Sequence, residues 1–183
     1  MARVLATDGL DPECVEILLE KGHHVDLIHF ERDELLGGAL SGYDAIIIRS
    51  ATKIDSEVLA ANISPESCIQ LIVRAGVGLD NIDLGKASEY GILVKNTPTA
   101  STKAVVEFTI GHLLTGVRNI SRADRAMRST VWAKKDSAGT ELSGKNLGLV
   151  GYGRISRGVA VVAKSLGMNV HVFDPFLEKD SAK

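Results

Sequence analysis

Two cysteines in 183 residues, Cys14 and Cys68, form neither a disulfide framework nor a Cys-x-x-Cys pair. Such usage suits a reducing, cytoplasmic setting. An excess of charge of one sign is also missing. Twenty-one basic side chains face twenty-three acidic ones, a formal net charge of −2, so no basic surplus points to nucleic acid. No apolar run approaches the ~20 residues that a helix needs to span a bilayer. The opening residues, Arg3-Val4-Leu5-Ala6-Thr7, read as a strand and not as a charged head before an apolar signal core. Five histidines show no metal-ligand spacing beyond the adjacent His23-His24, which ends a helix and reads as surface. No metal site is expected. What remains is ordinary for a soluble globular protein: 45% apolar, 24% charged, and long enough for one large or two small domains.

The first hundred residues alternate strand and helix. Strands are expected at Val4–Thr7, Val25–Phe30, Ala45–Ile48, Ile69–Val73 and Ile92–Lys95. Asp11 can cap a helix with Pro12 at its first position, ending at Gly22. Short helices are expected at Asp55–Ala61 and at Asp83–Tyr90, the latter closed by Gly91. Buried strands in successive βα units argue a doubly wound parallel sheet of flavodoxin-like type. Thr97-Pro98-Thr99 breaks the pattern. Ser101 or Thr102 then caps the longest helix, expected to run to about Arg128. Its apolar face is read as Val105, Phe108, Thr109, His112, Leu113 and Val117, with His112 as a packed core histidine. Residues 129–145, with the only Trp at 132, read as an arm.

The strongest local signal is Gly151-Tyr152-Gly153-Arg154-Ile155-Ser156. A Gly-x-Gly-x-x-Gly pattern alone is weak, and context decides. Here it follows an apolar strand, Asn146–Val150. It opens a helix whose apolar positions, Ile155, Val159, Val162, Ala163 and Leu166, have helical spacing. Gly167 ends that helix, and a second strand, Asn169–Phe173, carries Asp174 at its carboxyl end. Gly151 permits the tight turn and Gly153 lets the backbone approach a pyrophosphate at the helix N-terminus. Asp174 can accept from ribose hydroxyls and would repel a 2′-phosphate, so NAD is favoured over NADP. Arg154 is read as a phosphate neighbour, and Arg157 as either that or a solvated side chain. Ser156 stands where a third glycine packs helix on strand, so a small packing shift is expected.

A second candidate site lies at strand ends of the first half. Arg49, followed by Ser50, and Arg74, followed by Gly76-Val77-Gly78, could hold a small anion. Arginine pairs carboxylates in bidentate fashion, and glycine-rich backbone presents N–H groups. Alternatively, Arg74 pairs with Asp80 or Asp83 and only fixes its own loop.

In order along the chain come Arg74-Ala75-Gly76-Val77-Gly78-Leu79-Asp80-Asn81-Ile82-Asp83, then residues 91–98, then residues 139–144, then the Gly151 fingerprint with Asp174-Pro175. These motifs resemble those of the D-isomer-specific 2-hydroxyacid dehydrogenases, most of all their phosphoglycerate branch, over essentially the whole chain. The resemblance implies a substrate domain over 1–98. Residues 99–183 would then hold a linking helix, an arm and the first part of a Rossmann NAD-binding domain. It implies that Arg49, Ser50, Arg74, Val77, Gly78 and Asn81 contact an anionic 2-hydroxy or 2-keto acid. Val77, Gly151, Tyr152, Gly153, Arg154, Ile155, Ser156, Asp174 and Pro175 would contact NAD. It also implies a homodimer or higher oligomer, joined through the long helix and the arm near Trp132.

Hydride transfer to a keto acid needs an acid/base and a cation that polarises the carbonyl. The family supplies a histidine oriented by a glutamate, and an arginine, in Asn-x-Ala-Arg-Gly and Thr-Pro-His motifs. Neither motif occurs here, so no catalytic residue is expected in this chain. Only 38 residues follow Lys145, too few for a six-strand dinucleotide domain. The expectation is a fragment of a dehydrogenase, inactive by itself, with an unpaired sheet edge that favours self-association. Two alternatives are a non-catalytic NAD-sensing or partner-binding relative, like the corepressors that resemble this family, and a methyltransferase-type α/β domain. The ordered motifs outside the fingerprint argue against the methyltransferase.

Overall fold

A computed structural model describes residues 1–65 and 67–177. The chain divides into two compact units, Met1–Ala100 and Ser101–Lys183.

In the first unit the strands are β1 (Arg3–Ala6), β2 (His24–Leu27), β3 (Ala45–Ile48), β4 (Leu71–Arg74) and β5 (Leu93–Asn96). All pair in parallel, in the order β2-β1-β3-β4-β5. This is the flavodoxin-like doubly wound sheet that the apolar strands predict. Leu5, Ile46 and Ile72 sit side by side in register and are fully buried. Strands buried on both faces have no polar alternation, which is why they read as continuous apolar runs.

The helices of this unit are set by their first residues. Asp11 caps α1 (Pro12–Glu20) by accepting from the Glu13 N–H at 3.0 Å. A five-residue helix, α2 (Arg32–Leu36), was not expected; it begins in a capping box between Glu31 and Glu34. Asp55 caps α3 (Ser56–Asn62) and Asp83 caps α4 (Leu84–Glu89). Asn62, only 1% exposed, ties α2 to α3. Its Oδ1 accepts from the Leu40 N–H, and its Nδ2 donates to the carbonyls of Leu35 and Val58, each at 2.7 Å. The second strand ends at Leu27, not Phe30. Phe30 packs instead on the core, and His29 turns toward the Thr7 carbonyl, 3.2 Å from its Nδ1.

The second unit differs from expectation at its long helix. α5 (Thr102–Val117) stops, and α6 (Ile120–Arg128) starts anew after Asn119, which adopts a left-handed conformation with φ of 54°. The cause lies in the arm. The Asn119 side chain donates to the Ala138 carbonyl, and the Thr140 N–H donates to the Val117 carbonyl, both at 2.7 Å. Gly139 lies so close that an added Cβ would sit 2.6 Å from Val117 O and Arg118 Cα. The arm thus takes the carbonyl that a continuing helix would have used.

The apolar face of α5 is also rotated from the expected one. Ile110 is buried, and Leu113, Leu114 and Val117 pack on a core of Leu142, Ala163 and Met168. Val105, Phe108, Thr109 and His112 are exposed. His112 is therefore not a core histidine; its ring stands edge-on to Phe108 at 4.3 Å. Helix α7 (Arg154–Ser165) packs on α5 at Gly158, where a Cβ would lie 2.6 Å from Val106 Cγ2. β6 (Asn146–Val150) and β7 (Asn169–Phe173) pair in parallel in register.

Candidate functional site

Two loop systems carry the candidate residues, one in each unit. In the first unit the sheet order reverses at β1/β3. Ligands of open α/β sheets bind beyond the strand carboxyl ends at such a switch point. A cleft of about 600 Å³ lies there, lined by Gly9, Leu10, Asp11 and Cys14 after β1, by Arg49, by Ala75, and by Thr97 and Ala100 after β5. Arg49 and Ser50 follow β3 and are exposed.

Arg74 ends β4. Its guanidinium lies over Gly76, so closely that an added Cβ there would sit 1.6 Å from Nη1. Among the described residues its buried Nε has no partner. Among the described residues it pairs with neither Asp80 nor Asp83. Asp83 caps α4, and Asp80 Oδ1 lies 2.6 Å from where a Gly78 Cβ would be. Among the described residues the N–H groups of Val77 and Gly78 donate to no protein acceptor. The Val77 carbonyl, by contrast, accepts from Asn96 Nδ2 at 2.6 Å. The loop is thus held while two donors stay available. Asn81 braces a neighbouring loop. Its Nδ2 donates to the carbonyls of Arg49 (2.8 Å) and Thr52 (2.7 Å).

The seat of Arg74 gives a prediction. Gly76→Ala must displace the guanidinium, a flexible end, so stability should hold to about 0.5 kcal/mol. Anion binding should weaken severalfold, as isothermal titration with 3-phosphoglycerate would show. Unchanged binding would remove Arg74 from the site.

In the second unit, β6 ends at the fingerprint. Gly151 has φ of +86°, where only glycine is unstrained, and its N–H donates to the Phe173 carbonyl at 2.7 Å. Gly153 is the N-cap of α7; among the described residues no side chain caps that helix, and no acid occupies its first turn. A Cβ on Gly153 would meet nothing within 4 Å. A helix N-terminus that opens on a glycine with room around its Cα fits a pyrophosphate. Arg154 starts the helix, Ile155 and Ser156 are half-buried, and Pro175 is exposed. The close glycine contact of α7 falls at Gly158, against a neighbouring helix and not a strand.

Arg157 is exposed and leans back on the fingerprint loop. Its Nε donates to the Tyr152 carbonyl at 3.0 Å, and its guanidinium stands 5.3 Å from that ring's centroid. Asp174 accepts from the Phe176 N–H (2.9 Å) on Oδ1 and from the Tyr152 N–H (2.6 Å) on Oδ2. These backbone donors, Phe176 first, hold its carboxyl below the ordinary aspartate value. It stays ionised at neutral pH, and each oxygen keeps a second lone pair for a hydroxyl donor.

The comparisons fit this geometry. The profile described as D-isomer specific 2-hydroxyacid dehydrogenase, catalytic domain, matches residues 4–180. The chain belongs to this family. A hydroxypyruvate reductase of Thermotoga maritima is 41% identical over 94% of this dehydrogenase-family chain and 55% of its own length. A D-3-phosphoglycerate dehydrogenase of Methanocaldococcus jannaschii is 38% identical over the whole chain and 34% of its own length. The chain thus spans about half of one curated relative and a third of the other. A solved structure of NAD⁺-bound 3-phosphoglycerate dehydrogenase from Entamoeba histolytica has a TM-score of 0.76 at 29% identity, covering 98% of this chain and 56% of that one.

Sequence reasoning missed one cluster of this dehydrogenase scaffold. Asp8, Thr7 and Thr52 meet beneath the Arg49 loop. The available signal was an acid placed two residues after the apolar strand β1.

Proposed function

We propose that this chain supplies the substrate-anion site and the adenosine side of the NAD site of a D-2-hydroxyacid dehydrogenase. The substrate is 3-phosphoglycerate, oxidised to 3-phosphohydroxypyruvate on the route to serine, in the cytoplasm. The observation that carries this reading is the presence of two anion-ready loops in one chain: Arg49 and Arg74 with the Val77 and Gly78 N–H groups, which donate to no acceptor among the described residues, and the Gly153 end of α7 with ionised Asp174.

Residues 1–98 act as the substrate domain, and residues 99–183 as the linking helix, arm and beginning of the NAD-binding domain. NAD is the cofactor. Its nicotinamide would accept the substrate's hydride, with Val77 beside it. Gly151 to Ser156 hold the pyrophosphate, with Arg154 beside it, while Asp174 and Pro175 border the ribose. Arg49, Ser50, Arg74 and Gly78 hold the substrate's anionic groups, and Asn81 fixes their loop. Proton transfer and carbonyl polarisation need an Arg, Glu and His set, and its motifs are absent from these 183 residues. The chain alone is therefore expected to bind without turning over. Exposed apolar side chains of the second unit, among them Trp132 (76%) and Val150 (88%), support assembly as a homodimer or higher oligomer.

Fluorescence titration with NADH, a rate assay with 3-phosphoglycerate and NAD, and sedimentation of the same preparation test these points. The expected results are saturable binding, no turnover at enzyme-like rates, and a species larger than a monomer. Absence of NADH binding would overturn the cofactor reading. Turnover would overturn the inactivity, and a monomer at micromolar concentration the assembly.

A further inference from the structure

The segment Arg49–Thr52 is held from both sides by side chains distant in sequence. The N–H groups of Arg49 and Thr52 donate to Asp8 Oδ2 at 2.7 and 3.1 Å. The carbonyls of the same two residues accept from Asn81 Nδ2. Between them lie Ser50 and Ala51. Both are exposed, and among the described residues their N–H groups donate to no protein acceptor.

We propose that Asp8 is a positioning residue, which locks this loop so that Arg49 and the Ser50 and Ala51 amides face an anionic substrate. The proposal rests on the reading of that loop as the substrate-anion site.

The chemistry of Asp8 sets it apart from a carboxylate kept only for packing. Its side chain is 3% exposed, and among the described residues its ionisable partner is the His29 imidazole, with Nδ1 3.8 Å from Oδ1. A buried charge without a guanidinium or ammonium partner is costly unless several donors surround it. Here Oδ1 accepts from the hydroxyls of Thr52 (2.6 Å) and Thr7 (3.1 Å), which also touch one another. Burial pushes the carboxyl upward, but the Thr52, Arg49 and Thr7 donors outweigh it and hold it below the ordinary aspartate value. Four donors therefore converge on one anion, and two of them are the main-chain ends of the candidate site. Loss of the charge frees both ends together. Successive exposed amides beside an arginine make an anion-binding concavity only while the backbone keeps its curvature.

The test uses the 183-residue chain, with amide NMR spectra and titration with 3-phosphoglycerate. In the parent chain the Arg49 and Thr52 amide resonances should move together on acidification, with one midpoint below the ordinary aspartate range. The groups facing Asp8 in this titration are His29, Thr7 and Thr52. Asp8→Asn should abolish that shared shift and weaken 3-phosphoglycerate at least tenfold, with NADH affinity unchanged. Thr52→Val removes a single donor, and it carries the test should Asp8→Asn not fold. It should raise the shared midpoint and weaken binding severalfold.

Arg49→Ala separates the two ideas. If it loses binding while Asp8→Asn, or Thr52→Val in its place, binds like the parent, the positioning role is overturned and the site reading stands. If Arg49→Ala binds like the parent, or the parent binds no 3-phosphoglycerate, the site reading falls and the proposal with it.

Discussion

Gly153→Val is expected to weaken NADH binding at least a hundredfold and to leave the thermal midpoint of the chain essentially unchanged. Both halves follow from local geometry. Gly153 has φ of −74° and ψ of −169°, an extended conformation open to any residue. A Cβ there meets nothing within 4 Å, so the fold has no reason to resist it. The space that the two valine methyls would take is the approach to the first turn of α7. A phosphate oxygen must come within ~3 Å of a helix N–H to be bound. A hundredfold loss corresponds to ~2.7 kcal/mol, a reasonable value for excluding one pyrophosphate from its donors. Gly151 provides the contrast. At φ of +86° a valine is strained by at least ~1–2 kcal/mol, so Gly151→Val should lower the thermal midpoint as well. Fluorescence titration and thermal denaturation of both variants check this. Normal NADH affinity in Gly153→Val would remove the fingerprint loop from the cofactor site.

Asn62→Ala should destabilise the first unit by about 3 kcal/mol, on the order of 15 °C in its melting temperature. Three buried main-chain groups lose a partner at once: the Leu40 N–H and the carbonyls of Leu35 and Val58. Each such orphan costs ~1–3 kcal/mol, although the Val58 carbonyl lies within α3 and keeps helical donors. The cavity left by the side chain adds to this. Asn62→Leu fills the volume and still strands the same groups, so it should recover little. Urea denaturation of the two variants separates volume from hydrogen bonding: a leucine variant as stable as the parent would show that packing alone holds α2 to α3.

Much of the fold was legible because its signals are local. Asp11, Asp55 and Asp83 announce helices by capping them, and the apolar strands announce a sheet covered on both faces. The parts that were not legible depend on contacts far apart in the chain. α2 is a single turn, too short for periodicity to show. The break at Asn119 exists because Ala138 and Thr140 reach back to it, and nothing in residues 102–128 signals that. His112 has helical spacing with apolar neighbours, yet the covered face is set by where Leu142 and Met168 sit. In the candidate site, the arginines and glycines stood out by residue type. The role of Asn81 was not, because its partners are the main-chain oxygens of residues about thirty positions earlier. Asp8 escaped notice for the same reason.

The clamp on the Arg49 loop grips main-chain atoms that every residue except proline carries. Asp8 and Asn81 hold the N–H and C=O groups of residues 49 and 52, and of the loop's own side chains only the Thr52 hydroxyl takes part. Side chains at 49, 50 and 51, proline apart, can therefore be exchanged without reshaping the ribbon that carries them. Loop shape and loop chemistry are separately heritable in this scaffold. On the proposed reading of this loop as the substrate-anion site, a new acid calls for changes in three adjacent codons, with the frame beneath them untouched.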